Sequence, residues 1–163
     1  MKRQWRLYLD TSVFGGCFDA EEGWEVDSRR VVDYCVKGIA LLLATETLEK
    51  EIKDAPERVR AVYEAVPQKF HQRVPLTAEI TSLADAYIAA GVVGERWYED
   101  CLHVAFATVA RADAIVSWNF KHIASLRRAE KFNSVALQCG YPKRLTITTP
   151  AEMLYGDTPT TNP

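Results

Sequence analysis

Arg6-Leu7-Tyr8-Leu9-Asp10-Thr11-Ser12-Val13-Phe14 decides how the chain is read. Its first half is apolar and strand-forming. Its second half breaks at a carboxylate followed by two small hydroxyl residues. If Trp5 to Leu9 is a buried parallel strand, Asp10 ends it, at the edge where open α/β sheets bind ligands. Thr11 and Ser12 suit a helix N-cap, so the strand is expected to turn directly into a short helix. A strand-end acid followed by helix-start N–H groups can seat a cation and a phosphate. The plainer reading is an Asp that caps the helix.

Working outward, Gly15 to Glu25 carries glycines, acids and two aromatics without periodicity, and reads as a loop beside that strand end. Asp27 and Ser28 are expected to cap a helix that Gly38 ends. Ile39 to Thr45 is a continuous apolar run, as in a strand buried on both faces. Thr45 or Thr47 caps the following helix, where Leu48, Glu51, Ile52 and Ala55 share a face, so Glu51 turns inward. Pro56 opens a helix through Ala65. Val74-Pro75-Leu76 reads as a short edge strand, and Thr77 caps a helix that stops before Gly91.

The segment from Arg96 to Arg111 is apolar over so wide an arc that it must pack on a sheet. Asp100 falls in its first turns, where the helix dipole favours a negative charge. His103, three residues on, is within reach of Asp100 and reads as its structural partner rather than as a metal ligand. Asp113 to Asn119 is the next strand. It puts Ser117 and Asn119 at the carboxyl end and Asp113 at the amino end, which excludes Asp113 from the site. A helix from Ala124 to Gln138, a strand from Leu145 to Thr148 and a terminal turn from Pro150 to Leu154 complete the pattern. The polar tail after Gly156 reads as disordered. Strands alternating with helices imply a three-layer α/β/α fold in a single domain over 1–156, with a mainly parallel sheet of about five strands.

A chain of 163 residues fits one domain and can bury a core without disulfides. Apolar residues at 48% and charged residues at 26% are ordinary for a globular protein. No apolar run has the length of a membrane span, and the first residues lack the apolar core of a signal peptide; a cytoplasmic protein is expected. Cys17, Cys35, Cys101 and Cys139 form no CxxC pair, and His71, His103 and His122 are dispersed, which argues against a zinc hydrolase. A net charge of −2 and a pI of about 5.9 argue against a broad basic face for nucleic acid. Arg127, Arg128, Lys131, Lys143 and Arg144 remain as a local basic strip or, more plainly, a solvated face.

Three acids share one structural reason to be noticed. Asp10 ends the first strand, Glu51 faces inward after the second, and Asp100 starts the helix before the fourth, which Asn119 ends. Thr11, Ser12 and Ser117 stand beside them as supporting hydroxyls. Hard divalent ions take oxygen ligands, and such an ion can activate water against a phosphodiester. An aspartyl-phosphate route usually wants a second acid at position 12, where Ser12 stands instead. The order of these stretches resembles PIN-domain proteins, which include VapC-type toxins of prokaryotic toxin–antitoxin pairs. Tyr8 to Phe14 is similar to the first family motif, Thr45 with Glu51-Ile52 to the second, Asp100 to Ala107 to the third and Val116 to Ile123 to the fourth; the likeness runs from about Arg6 to Leu154. It implies a Mg²⁺- or Mn²⁺-dependent ribonuclease with Asp10, Glu51 and Asp100 at the metal and Asn119 giving an amide oxygen or a hydrogen bond. It also implies RNA as substrate, a small antitoxin partner and a homodimer. Many members carry acids in the fourth motif where Asn119 and Lys121 stand here, which implies a less negative site. The alternative is a catalytically weak or inactive module that binds RNA or protein.

Overall fold

The computed structural model describes residues 3–156; the tail beyond Gly156 lies outside them. Five strands form one parallel sheet: β1 (Trp5–Leu9), β2 (Ala40–Ala44), β3 (His71–Arg73), β4 (Ala114–Val116) and β5 (Thr146–Thr148), in the order β3-β2-β1-β4-β5. The helices between them are α1 (Thr11–Gly16), α2 (Glu25–Val36), α3 (Glu46–Asp54), α4 (Glu57–Glu64), α5 (Ala78–Ala89), α6 (Tyr98–Val109), α7 (Leu126–Gln138) and α8 (Pro150–Gly156). The chain leaves β1 for β2 and β3 on one side, then returns to place β4 and β5 on the other. The order therefore reverses between β1 and β4, the position where α/β sheets open a crevice at their carboxyl ends.

The pleat of β1 divides the core. Leu7 and Leu9 face one side with Val13, Phe14, Val31, Leu48 and Val59; Tyr8 faces the other with Leu83, Val104, Phe106 and Phe132. Successive strand residues point to opposite faces, so a strand covered on both sides must be apolar throughout. α6 lies deep in the second layer, with Cys101 and His103 to Thr108 all buried. The result is the three-layer α/β/α arrangement expected from the pattern. No helix among the described residues is long and apolar enough to cross a membrane.

Several local expectations are corrected. Asp10 itself caps α1, accepting from the Ser12 backbone N–H, so Thr11 and Ser12 lie inside the first turn. A carboxylate at the strand end outcompetes the hydroxyls for that N–H. α2 begins at Glu25, ahead of Asp27 and Ser28; Ser28 is buried and accepts from the Trp118 indole N–H at 2.8 Å. Gly38 does end that helix, at φ +74, a backbone state suited to glycine. The edge strand is His71–Arg73, paired with Leu42–Ala44, rather than Val74 to Leu76. Pro75 has no N–H to extend the ladder, and only the Val74 N–H still reaches Ala44 O, at 2.9 Å. Lys143 and Arg144 pair with Asp113 and Glu130. Asp113 precedes β4, so Lys143 belongs to the amino end of the sheet and not to the acids at the other end.

Candidate active site

Register brings the first two groups together. Leu9 pairs with Val116 across β1 and β4, so Asp10 and Ser117 leave the sheet side by side. Ser117 Oγ donates to Asp10 Oδ2 at 2.6 Å, and Ser12 Oγ donates to Asp10 Oδ1 at 2.5 Å. Each hydroxyl is held in turn: the Trp118 N–H donates to Ser12 Oγ and the Asn119 N–H to Ser117 Oγ, both at 2.9 Å. Asp10 is only 5% exposed, and both of its oxygens are met by neutral donors.

Glu51 arrives from α3. Thr45 caps that helix through the Leu48 N–H, which fixes the helix phase and turns Glu51 toward Thr11, whose hydroxyl donates to Glu51 Oε2. The other oxygen accepts from His103 Nε2 at 2.9 Å. His103 comes from α6 and is fully enclosed; its Nδ1 lies 2.5 Å from the Tyr8 hydroxyl, which lies 3.0 Å from Thr45 Oγ1. A continuous chain thus runs Glu51–His103–Tyr8–Thr45 through the core. The expected contact of His103 with Asp100 is replaced by this one. The helical spacing offered a local partner, whereas packing of α3 against α6 supplied a better-placed acid.

Asp100 has its own partners. Its Oδ2 is 3.1 Å from His122 Nδ1, and its Oδ1 accepts from the Asn119 side-chain amide at 3.2 Å. Asn119 Oδ1 accepts from the His122 N–H at 3.0 Å. The amide oxygen is therefore spent on the turn after β4, and of the two roles expected for Asn119 it fills the hydrogen-bonding one.

The three acids and His103 share one electrostatic field. Burial raises the pKa of Asp10 above the usual carboxylate value; the His103 charge and the two serine bonds oppose this, and the Glu51 charge adds to it. Burial likewise raises Asp100, against His103 and His122, with Glu51 again adding. Burial alone would raise Glu51, but the bond to His103 and the charge on it leave Glu51 lowered. Burial would lower His103, but Glu51, Asp10 and Asp100 leave it raised. The three acids thus favour the protonated form of His103. In that form both ring nitrogens donate, so the Tyr8 hydroxyl accepts from Nδ1 and is left free to donate to Thr45 Oγ1. Burial holds Tyr8 well above its ordinary pKa, so that hydroxyl stays protonated.

Asp10, Glu51 and Asp100 therefore all leave elements at the carboxyl end of the sheet and feel one another's charge, with Thr11, Ser12, Ser117 and Asn119 bonded directly to them. Sequence reasoning missed the roles of His103, Tyr8 and His122. The donor set suits a hard divalent ion in kind: three carboxylates, two with charge disfavoured by burial, so that a cation would be welcome. In arrangement the side chains are spent on other partners, and among the described residues no three His, Cys, Asp or Glu side chains are grouped so that they could hold a metal ion. Ligation by all three acids would require side chains to leave their present hydroxyl, imidazole and amide partners. Asp10 is poorly placed as a nucleophile, because both oxygens are enclosed. The thiols stand apart from this chemistry: burial pushes Cys101 up to about 12 and Cys17 up to about 11, values of inert core thiols. No protein-family model matches the chain, and no curated protein matches it in sequence.

Proposed function

We propose that the protein is a metal-dependent endoribonuclease, with Asp10, Glu51 and Asp100 holding a Mg²⁺ or Mn²⁺ ion. What supports this reading most is the meeting of three acids from β1, α3 and α6 in one field at the switch point of the sheet. The ion would polarise the phosphodiester and lower the pKa of a water molecule. The remaining work falls to the chain. Ser12 and Ser117 fix the Asp10 carboxylate, and the Asn119 amide and His122 fix Asp100. His103, itself braced by Tyr8 and Thr45, orients Glu51 and offsets part of the negative charge. Such supports around a metal site commonly affect affinity or rate by about 10- to 100-fold.

The choice of RNA, a small antitoxin partner and a homodimer rest on the family resemblance, an associational warrant. Cleavage of RNA in the presence of Mg²⁺ or Mn²⁺, lost in Asp10→Asn with an unchanged circular dichroism spectrum, tests the reading; undiminished cleavage by that variant contradicts it. One observation favours the alternative of a non-catalytic binding module: the acids are already partnered, and Asn119 and Lys121 leave the fourth segment without a carboxylate. Absence of any Mn²⁺ binding at millimolar concentration would favour that module.

A further inference from the structure

Asp10 is held by two hydroxyls, and both hydroxyls are held by one short segment. The Trp118 N–H donates to Ser12 Oγ and the Asn119 N–H to Ser117 Oγ. β4 ends at Val116, and the Ser117 N–H still bonds Thr148 O, at 2.9 Å. The next N–H, that of Trp118, turns from the sheet to Ser12. What fixes this residue from the other side is its indole, which leaves it only 6% exposed.

The first turn of α2 grips that indole. Trp24 is the cap of this helix, and its carbonyl accepts from the Ser28 N–H at 3.0 Å, so the two residues stand one turn apart. Trp24 stacks on the face of Trp118, with ring centres 4.9 Å apart and planes 3° from parallel. Ser28 takes the edge, its Oγ accepting from the indole N–H at 2.8 Å. α1 leaves room for the grip at Gly16, where a Cβ would stand 2.5 Å from Ser28 Oγ and 2.9 Å from the indole nitrogen. An indole buried for packing alone also needs an acceptor for its N–H, but any acceptor serves. Here the acceptor and the stacking ring come from one helical turn, and the backbone they fix holds the hydroxyl that meets Asp10.

We infer that Trp24 and Ser28 are positioning residues for Asp10, acting through Trp118 and Ser12 on the affinity for the metal ion. This rests on the metal reading above. The path is continuous: α2 fixes the indole, the indole fixes the Trp118 N–H, that N–H orients the Ser12 hydroxyl, and the hydroxyl orients Asp10 Oδ1. Partners that hold a ligand commonly change metal affinity by about 10- to 100-fold, and a contact relayed through two further residues falls toward or below the lower end of that range.

The test titrates Mn²⁺ calorimetrically into the full chain and its variants, with urea unfolding as the separate measure of stability. Trp24→Leu removes the stacked ring and Ser28→Ala the acceptor; each should weaken Mn²⁺ binding by about fivefold or more. Trp24→Phe should recover most of the first loss. The two losses should not multiply in the double variant, because both pass through Trp118. Trp24 belongs to neither core cluster, so its variant keeps the fold even if Ser28→Ala does not. Ile80→Val, a truncation in the core on the far face of the sheet, should lower stability and leave Mn²⁺ affinity unchanged. If wild type binds Mn²⁺ and both Trp24→Leu and Ser28→Ala bind it equally well, the positioning role is refuted and the metal reading stands. Equal weakening by Ile80→Val also refutes it. Wild type that binds no Mn²⁺ refutes both.

Discussion

Asp10 and Asp113 lie at opposite ends of the same two strands, β1 and β4, and their surroundings differ in kind. Asp113, with its side chain 8% exposed, accepts from the Arg6 backbone N–H at 2.8 Å and from the Arg3 guanidinium, with Lys143 at 4.0 Å. It is an acid matched by cations and by the sheet edge itself. Asp10 is as deeply placed but is met by two serine hydroxyls, with the charge of Glu51 acting on it and the His103 imidazole shared among three acids. Volume does not separate the two ends. A cavity of about 670 Å³ opens at the amino end, lined by Trp5, Leu7, Tyr34, Asp113 and Met153. Of its two acids, Asp113 is met by cations and Glu152 accepts from the Thr148 hydroxyl at 3.2 Å, and its walls are mostly apolar. Concentrated, incompletely compensated charge, rather than space, distinguishes the carboxyl end, and the proposed function rests on that difference.

The sharpest way to break this contrast is to neutralise each acid in turn. On the proposed nuclease reading, Asp10→Asn should lower metal-dependent RNA cleavage by more than about a hundredfold, because it removes one of the carboxylates proposed to hold the ion. Asp113→Asn should leave cleavage unchanged. Equal losses in the two variants would erase the distinction. His103→Leu strands Glu51 and Tyr8 without their shared partner; a loss of about 2–4 kcal/mol in urea unfolding is expected. Asp113→Ala frees the Arg6 N–H, and the same measurement should show about 1–2 kcal/mol. The Arg3 contact adds little, since that side chain is largely exposed.

Acidity sharpens the comparison further. His103 is raised above its unfolded value of 6.5, so its contribution is fully present below that pH and is lost as pH rises through the folded value. Glu51 is lowered from 4.5, so its contribution holds above that pH and is lost as pH falls through the folded value. Asp10 and Asp100 are raised from 3.8 and work in the opposite sense: the folded state prefers them protonated, so stability declines as pH rises through their folded values. Thermal melts in EDTA should therefore show the His103 contribution falling away as pH rises above 6.5 in wild type. That decline should be flatter in His103→Leu; an identical slope would mean that His103 is not charged in the fold.

The carboxyl-end acids were legible because a buried strand, its terminal residue and the direction of a parallel sheet follow from local pattern alone. Asp10, Glu51 and Asp100 each needed only strand order or helix phase, and Asp113 could be excluded by the same argument. What escaped depended on packing between distant segments. His103 finds Glu51 rather than Asp100 because α3 meets α6, a contact that no spacing rule carries. The orientation of Asn119 is set by the turn at His122. Ser28 looked like a helix cap, yet it is a buried acceptor for Trp118, and Gly16 keeps the room that this indole needs. The shift of β3 toward His71 followed from register with β2, where Pro75 limited the strand more than its apolar neighbours promoted it.

Calorimetric titration of Mn²⁺ into wild type, Asp10→Asn and Asp113→Asn, side by side, tests the central claim most directly. The account predicts saturable binding in wild type and Asp113→Asn and its loss in Asp10→Asn. Binding that survives in Asp10→Asn, or that vanishes in Asp113→Asn, would contradict it.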